Sequence, residues 1–147
     1  MNRCGACDLC CRLPPIDELG KAQGVPCPHH TGTSCAVWAT RPVACRNFRC
    51  LWYANPSFPD ALRPDRCGAY FEPLRGRPVV LVMVDTMRPD AWQKGIVKGL
   101  IDRFVANRTS VAIVVGSRNH FRLPPDTAFV PVWRHILDAA ESAGVRR

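Results

Sequence analysis

Cysteine is the residue type in this chain whose number and spacing point to chemistry. Eight of the nine cysteines lie in the first fifty residues. The first three of them recur at intervals of three residues, a spacing that lets one short loop direct several sulfur atoms at a single inorganic centre. The sequence therefore predicts a metal or iron–sulfur protein. Its eight candidate ligands are Cys4, Cys7, Cys10, Cys11, Cys27, Cys35, Cys45 and Cys50.

The adjacent cysteines Cys10 and Cys11 are expected to serve different sites. Successive side chains diverge along an extended backbone, so two neighbouring thiols rarely face the same small ion. Cys10 continues the spacing of Cys4 and Cys7 and is expected to share their site. Eight thiolates suffice for two four-ligand centres, or for one centre with spare thiols. The later cysteines, which Cys11 would join, are Cys27, Cys35, Cys45 and Cys50.

The spacing favours an iron–sulfur cluster over a zinc or iron ion. Three thiols at successive three-residue intervals are typical of bacterial ferredoxin loops, although there a fourth cysteine follows after three further residues and precedes a proline. Structural zinc more often uses separated Cys-x2-Cys pairs, and Cys4 with Cys7 forms one such pair. His29 and His30 are candidate imidazole ligands or part of a solvated loop. Cys67 is interpreted as a buried small residue or a spare ligand.

A disulfide scaffold is the competing explanation of so many cysteines. The odd count of nine and the absence of an apolar leader after Met1 argue against it. The longest apolar run, Val79 to Val84, has the length of a strand and is too short to span a bilayer. We therefore expect a cytoplasmic protein with reduced thiols and no membrane segment.

The net charge of +8, from 20 basic and 12 acidic residues, raises the question of nucleic-acid binding. The basic residues are spread along the chain, however, and several lie beside cysteines. Four thiolates around a divalent metal leave a charge of about −2, which nearby guanidinium groups would offset. Nucleic acid is therefore not the expected partner. The arginines in question are Arg3, Arg12, Arg41, Arg46 and Arg49.

The pattern of the chain predicts a single α+β domain over residues 1–147. Residues 1–75 form a cysteine-rich metal-binding region of loops and short helices, and residues 76–147 form a strand-helix-strand base with a C-terminal helix. Two apolar strands, Val79–Val84 and Val111–Val115, flank a helix whose apolar residues run from Trp92 to Phe104. A helical connection of this length predicts parallel strands with a right-handed crossover. The last helix is expected from Pro131 to Ala143.

A short helix is also expected around Cys45, because Thr40 can cap it and Pro42 is tolerated in its first turn. Cys50 would then fall near the end of this helix. Aromatic side chains would pack over the metal site and exclude water from it. These aromatic residues are Trp38, Phe48 and Trp52.

The cysteine-rich region resembles a known family in its combined motifs. They are Cys4-x2-Cys7-x2-Cys10-Cys11, Cys27-Pro28-His29, Cys35-Ala-Val-Trp38 and Arg41-Pro42-x2-Cys45-Arg46-x-Phe48-x-Cys50. Together, over residues 1–75, they closely resemble the bacterial CxxCxxCC family described as zinc- or iron-chelating proteins. The resemblance implies a metal-chelating cysteine cluster in a small cytoplasmic protein, with the eight cysteines as ligands. Trp38 stands where similar sequences tend to have tyrosine.

Three functions are compatible with these features. The first is a cysteine-ligated iron–sulfur or metal centre used in redox or metal handling. The second is a structural zinc module that binds a protein or nucleic-acid partner, and the third is an enzyme, or an accessory subunit of one, that uses an iron–sulfur cluster. A glycine-rich phosphate loop is absent after Val84, and no local motif supports Cys67 as a nucleophile with His120 or His135.

Overall fold

The structure is a computed structural model that describes residues 5–129 of the chain. It combines helices with a four-stranded mixed sheet, which confirms the α+β prediction. The helices are α1 (Leu9–Arg12), α2 (Val43–Asn47), α3 (Leu51–Ala54), α4 (Pro64–Cys67) and α5 (Gly95–Ala106). The strands are β1 (Ala69–Pro73), β2 (Val79–Val84), β3 (Ser110–Val115) and β4 (Arg118–Arg122).

The strands lie in the order β1-β2-β3-β4. The predicted strands β2 and β3 are parallel, as expected from the helix that connects them, and each outer strand pairs antiparallel with its neighbour. Sequence reasoning missed both outer strands. Strand β1 reads Ala-Tyr-Phe-Glu-Pro, and its terminal proline is tolerated because the strand lies at the sheet edge.

One face of the sheet packs against α5. Residues directly opposite on paired strands share a face, so Phe71 of β1, Val82 of β2 and Ile113 of β3 form one row. Phe71 meets Phe104 of α5 with ring centroids 6.1 Å apart. Val82 and Ile113 are completely buried in this row. The apolar β-branched run of β2 is therefore explained by burial on both faces.

The opposite face of β1 packs against the cysteine-rich region. Tyr70 lies on this face, and α1 and α3 contact its strand. The ring of Phe48 meets Tyr70 edge-on at a centroid distance of 5.3 Å. Leu9 of α1 and Trp52 of α3 are also buried, and they belong to the same hydrophobic core as the sheet residues. A shared core therefore fixes the cysteines relative to β1.

Gly68 makes the sharp connection from α4 into β1. Its φ of 83° lies in the left-handed region, and a Cβ there would approach the side chains of Ala91 and Arg88 to 3.0 and 3.1 Å. Glycine satisfies both constraints. The close approach lets β1 begin directly after α4 and places Tyr70 beside the cysteine region.

The predicted helix around Cys45 is present, but three of its details were wrong. Helix α2 begins at Val43, with Pro42 in the capping position rather than in the first turn, and Thr40 lies in a separate 3-10 turn. The carboxylate of Glu18 instead accepts hydrogen bonds from the backbone N–H groups of Val43 and Ala44, so a distant residue satisfies the first turn. Cys50 does not end this helix but immediately precedes α3.

Cys4 and Arg3, together with the predicted helix from Pro131 to Ala143, lie outside the described residues. Within residues 5–129, helices of the length and apolarity that a bilayer crossing requires are not found.

Candidate metal centre

Four of the predicted ligands line a cavity beneath β1, and they are Cys7, Cys10, Cys45 and Cys50. The cavity has a volume of about 70 Å³, and Tyr70 lines it too. The thiols of Cys10 and Cys50 are close enough for their charges to act on the Tyr70 hydroxyl. We call Cys7, Cys10 and Cys50 the sheet-side group. The sequence predicted Cys50 beside Cys11, Cys27, Cys35 and Cys45, but Cys50 precedes α3, which packs on β1, and so it lies with Cys7 and Cys10 instead. Cys4, which was predicted to share a site with Cys7 and Cys10, lies outside the described residues.

An adjoining cavity of about 140 Å³ is lined by Cys11, Cys27 and Cys35, together with Cys10 and Cys45, which line both cavities. Burial raises the pKa of the Cys45 thiol, and the charges of Cys11, Cys27 and Cys35 raise it further. Cys11, Cys27 and Cys35 therefore lie within electrostatic range of Cys45. We call Cys11, Cys27, Cys35 and Cys45 the loop-side group. Cys45 also reaches the cavity of the sheet-side group, so the two cavities adjoin.

The two groups meet at Cys10 and Cys11. Both residues lie on the single turn of α1, so the extended backbone assumed from the sequence was wrong. A hydrogen bond between the two side chains, the largest of several influences, lowers the pKa of Cys11 to about 7. Cys10 lines both cavities, whereas Cys11 lines only the loop-side one. The pair therefore forms a junction between the groups.

Backbone hydrogen bonds bring the separated cysteines of the loop-side group to α1. The N–H of Cys27 donates to the carbonyl oxygen of Cys11 at 2.9 Å. Residues His30 and Cys35 form an antiparallel bridge that closes the next loop, with the Ala36 N–H bonded to the His29 carbonyl. These local turns explain how cysteines up to 34 positions apart can share one cavity.

Lys21 is a buried cation beside the thiols. It is only 4% exposed, and its ammonium group donates to the carbonyl oxygens of Arg12, Pro14 and Ala22. No carboxylate in the described part of the chain forms an ion pair with it. Burial lowers the pKa of Lys21, and the charges of nearby thiols oppose that change. These thiols belong to Cys27, Cys11, Cys45 and Cys10.

Two buried side-chain polar atoms lack a hydrogen-bond partner among residues 5–129, and both belong to residues that line thiol-containing cavities. The hydroxyl of Tyr70 belongs to the cavity of the sheet-side group. Nε2 of His30 belongs to a wider cavity of about 410 Å³ that Cys10, Cys11 and Cys35 also line. An unsatisfied buried polar atom costs about 1–3 kcal/mol, so the Tyr70 hydroxyl points to a missing binding partner, whereas Nε2 of His30 already lies near the Asp8 carboxylate.

The two candidate histidines occupy different cavities. His29 lines the loop-side cavity. His30 has its Nε2 3.2 Å from a carboxylate oxygen of Asp8, a distance typical of an ion pair, although the two atoms are not aligned for a hydrogen bond. Carboxylates commonly orient metal-binding imidazoles in this way. Both histidines therefore remain candidate ligands, and neither lies in a purely solvated loop.

Cys67 lies outside both thiol groups. Its Sγ donates to the carbonyl oxygens of Ala69 and Leu62 at 3.1 and 3.6 Å, and burial raises its pKa. Cys67 is partly buried and packs against the core, so it is a structural residue that is less enclosed than predicted. His120, considered as its partner, instead packs on Trp92 with ring centroids 4.9 Å apart, and His135 lies outside the described residues.

The arginines near the cysteines make other contacts than the expected ones. Arg12 donates to the carboxylates of Asp8 and Asp85. Arg41 stacks on Trp38 at 3.8 Å from the ring centroid, and Arg49 donates to backbone carbonyls. Among the described residues, the cation that responds to the thiol charges most clearly is Lys21.

All three aromatic residues expected to pack over the site line the sheet-side cavity, but they differ in exposure. Phe48 and Trp52 line the sheet-side cavity, and Trp52 is buried. Trp38 lines the same cavity but is 60% exposed, so it borders the site from the solvent side.

Sequence reasoning missed Lys21 and Tyr70 as parts of the site. Lys21 falls in a stretch that reads as a plain connecting loop, and Tyr70 belongs to a strand too short to stand out. The one available signal for Lys21 is its type, because only three of the twenty basic residues are lysine.

The thiols of the described residues do not converge on a common point. Within residues 5–129, no three side chains of His, Cys, Asp or Glu converge closely enough to hold a metal ion. Ligation therefore requires the sulfur atoms of each group to turn towards a common point. Comparison of the chain with protein-family models, with curated proteins and with solved structures gives no match.

Proposed function

We propose that this protein binds metal through two cysteine-ligated centres, one in each thiol group. The observation that carries the proposal is the distribution of seven thiols around two adjoining cavities. Thiolates are preferred ligands of iron–sulfur clusters and of zinc. The three-residue spacing of the first thiols favours iron–sulfur centres for redox or metal handling.

The donor set fits two four-thiolate centres. The loop-side group supplies four thiols, and the sheet-side group supplies three, to which the spacing of the sequence adds Cys4. Each four-thiolate centre would carry a charge of about −2. Lys21 provides a buried positive charge next to the loop-side thiols. A buried ammonium group without a negative charge nearby is energetically costly, and bound thiolates would supply that negative charge.

The surrounding residues have defined tasks in such a protein. A bound iron–sulfur cluster supplies one-electron transfer, and a zinc ion supplies structural cross-linking. Trp52 and Phe48 exclude water from the sheet-side thiols, which protects thiolates from exchange and oxidation. Lys21 lowers the electrostatic cost of gathering thiolates, and the backbone bond from Cys27 to Cys11 holds two ligands of the loop-side group in place.

Metal analysis after anaerobic purification tests the proposal. We expect brown protein that contains iron and acid-labile sulfide. If the protein is colourless and contains stoichiometric zinc, the metal in the two proposed centres is zinc and not iron–sulfur. Folded protein that contains neither metal contradicts both versions.

Serine substitutions test whether there are two centres. Cys50→Ser removes a sheet-side ligand and Cys35→Ser a loop-side ligand, so each is expected to lower the bound metal by about half. Cys67→Ser is the matched control, because Cys67 lies outside both groups and serine can keep its hydrogen bond to Ala69. Loss of all metal in both Cys50→Ser and Cys35→Ser would instead indicate one shared centre.

A structural zinc module that binds a partner is the second candidate function, and one surface feature favours it. Trp38 is exposed beside both cavities with Arg41 stacked on its ring. Arg41, Arg46 and Arg49 form no ion pair with a carboxylate among residues 5–129. Exposed tryptophan and arginine are common in binding hot spots. The zinc content of the purified protein separates this candidate from the first.

A further inference from the structure

The Tyr70 hydroxyl is placed where it would meet whatever the sheet-side thiols bind. Tyr70 is 1% exposed, and its hydroxyl has no hydrogen-bond partner among residues 5–129. It borders the cavity that Cys7, Cys10 and Cys50 line. The volume of about 70 Å³ is several times the ~10–15 Å³ that one water needs, so a larger group can occupy the cavity.

The ring of Tyr70 is held so that its hydroxyl has little freedom to find another partner. Phe48 packs edge-on against it at 5.3 Å, and its strand is paired with β2 along its whole length. A phenol keeps its proton at neutral pH, because its ordinary pKa is about 10. The hydroxyl is therefore a fixed hydrogen-bond donor beside two thiols, and thiolate sulfur is an acceptor.

We infer that the Tyr70 hydroxyl donates a hydrogen bond to a sulfur atom of the centre held by the sheet-side group. This inference rests on the proposed function. The hydrogen bond stabilises the thiolate-bound centre and satisfies a donor that is otherwise buried without a partner. Lys21 lies within charge range of three loop-side thiols and of Cys10, so the two groups have different neighbours: a neutral donor that borders the sheet-side cavity and a cation near the loop-side thiols.

The test is the rate at which a chromogenic chelator removes metal from the anaerobically purified protein. In Tyr70→Phe we expect about half of the metal to leave about tenfold faster, a factor that corresponds to about 1.4 kcal/mol. Tyr53→Phe is the matched control, because Tyr53 is the only other tyrosine and borders the same cavity but is only half-buried. We expect its metal release to match that of the parent protein.

The single-centre variants assign the effect to one group. In Cys35→Ser protein, which keeps the sheet-side centre, Tyr70→Phe should still accelerate release. In Cys50→Ser protein, which keeps the loop-side centre, it should have no effect. Equal acceleration in both would show general loosening of the fold and overturn the inference. If the centre contains iron, its reduction potential should also fall in Tyr70→Phe, because hydrogen bonds to sulfur stabilise the more negative reduced state.

The remaining outcomes separate this inference from the proposed function. Unchanged release from Tyr70→Phe in a protein that binds two centres overturns the hydrogen bond and leaves the centres intact. A parent protein without metal overturns both. Unfolding of Tyr70→Phe also counts against the inference, since removing a hydroxyl without a protein partner should not weaken the fold.

Discussion

The cysteine-rich region and the sheet region reach stability by different means. Residues 5–67 contain helices of at most five residues, whereas residues 69–122 contain the twelve-residue α5 and all four strands. Six of the buried apolar residues lie in the first region and sixteen in the second. The sheet region therefore has the greater part of the core, and the cysteine region has most of the thiols.

This difference indicates which region metal binding would stabilise. Short helices are marginal without tertiary support, and the cysteine region finds it in its contact with β1, in the bonds from Arg12 to Asp85 and from Gln23 to Gly116, and in the proposed centres. The sheet region packs α5 on a continuous apolar row and needs no ligand. The candidate ligands and the greater part of the core thus lie in different parts of the chain.

The largest expected effect is that of removing metal. In the protein with its proposed centres, a chelator should abolish most hydrogen-exchange protection in residues 5–67, while β2, β3 and α5 keep theirs. Structural zinc sites contribute apparent binding free energies of about 10–16 kcal/mol, as much as the stability of an ordinary domain. Hydrogen exchange read out by mass spectrometry measures both regions in one sample.

The control is the same chelator saturated with metal beforehand. It is chemically the same reagent, but it can no longer remove metal from the protein. Equal loss of protection in both regions would contradict the comparison, since it would mean that the two regions unfold together. Unchanged protection throughout would mean that the cysteine region is stable without metal.

The sheet region could be predicted from sequence further than the cysteine region. The apolar runs of β2 and β3 and the helical spacing of α5 are repeated signals, and each marks burial directly. The same reasoning missed β1 and β4, whose five residues mix polar and apolar types. Sequence periodicity thus identifies the buried centre of a sheet better than its edges.

The candidate site was predictable as a set of cysteines but not as an arrangement. Spacing alone selected the thiols, yet the grouping depends on turns such as the one that bonds Cys27 to Cys11. Glu18, which caps α2 from 25 positions away, has no local sequence signal. Lys21 and Tyr70 join the site through tertiary packing, which no pattern of neighbouring residues records.

The next effect in size concerns the ion pair that joins the two regions. Arg12 of α1 donates two hydrogen bonds of 3.2 Å to Asp85, which follows β2 and is 4% exposed. Asp85→Asn removes the charge but can still accept the hydrogen bond from the Met87 N–H. We expect it to lower the free energy of unfolding of the metal-loaded protein by about 1–3 kcal/mol, measured by denaturant titration.

Asp65→Asn is the control for this pair, because Asp65 also accepts two hydrogen bonds from an arginine but lies two positions from it. We expect a loss below about 1 kcal/mol, because this local pair is only partly buried and joins no separate regions of the chain. If the two variants lose similar amounts of unfolding free energy, the ion pair between the regions contributes no more stability than a local pair.

The Asp85 pair also carries a pH dependence. Burial by itself would raise the pKa of Asp85, but hydrogen bonds from Arg12 and Met87 outweigh it and hold the pKa below its usual value. The stabilisation is therefore present above the unfolded-state pKa of about 3.9 and is lost as pH falls through the lower folded-state pKa. The difference between the parent protein and Asp85→Asn should shrink in that acidic range.

The smallest expected effect comes from Glu72, which lies on the same face of β1 as Tyr70 and so borders the cysteine region. Burial raises the pKa of this carboxyl group above its usual value, and the described residues provide it with no ion pair. Its charged form is therefore disfavoured in the folded protein. Glu72→Gln keeps the size of the side chain and removes the charge.

The sign of the effect follows from proton linkage. Between the unfolded-state pKa of about 4.3 and the higher folded-state pKa, the folded protein binds more protons, so its stability falls as pH rises. Glu72→Gln lacks this loss and should be more stable than the parent at pH 7, by less than about 1 kcal/mol because Glu72 keeps partial contact with water. Below pH 4 the two proteins should unfold at the same denaturant concentration. A gain that persists at low pH would come from packing, and a loss at pH 7 would mean that a positive charge in the cysteine region pairs with Glu72.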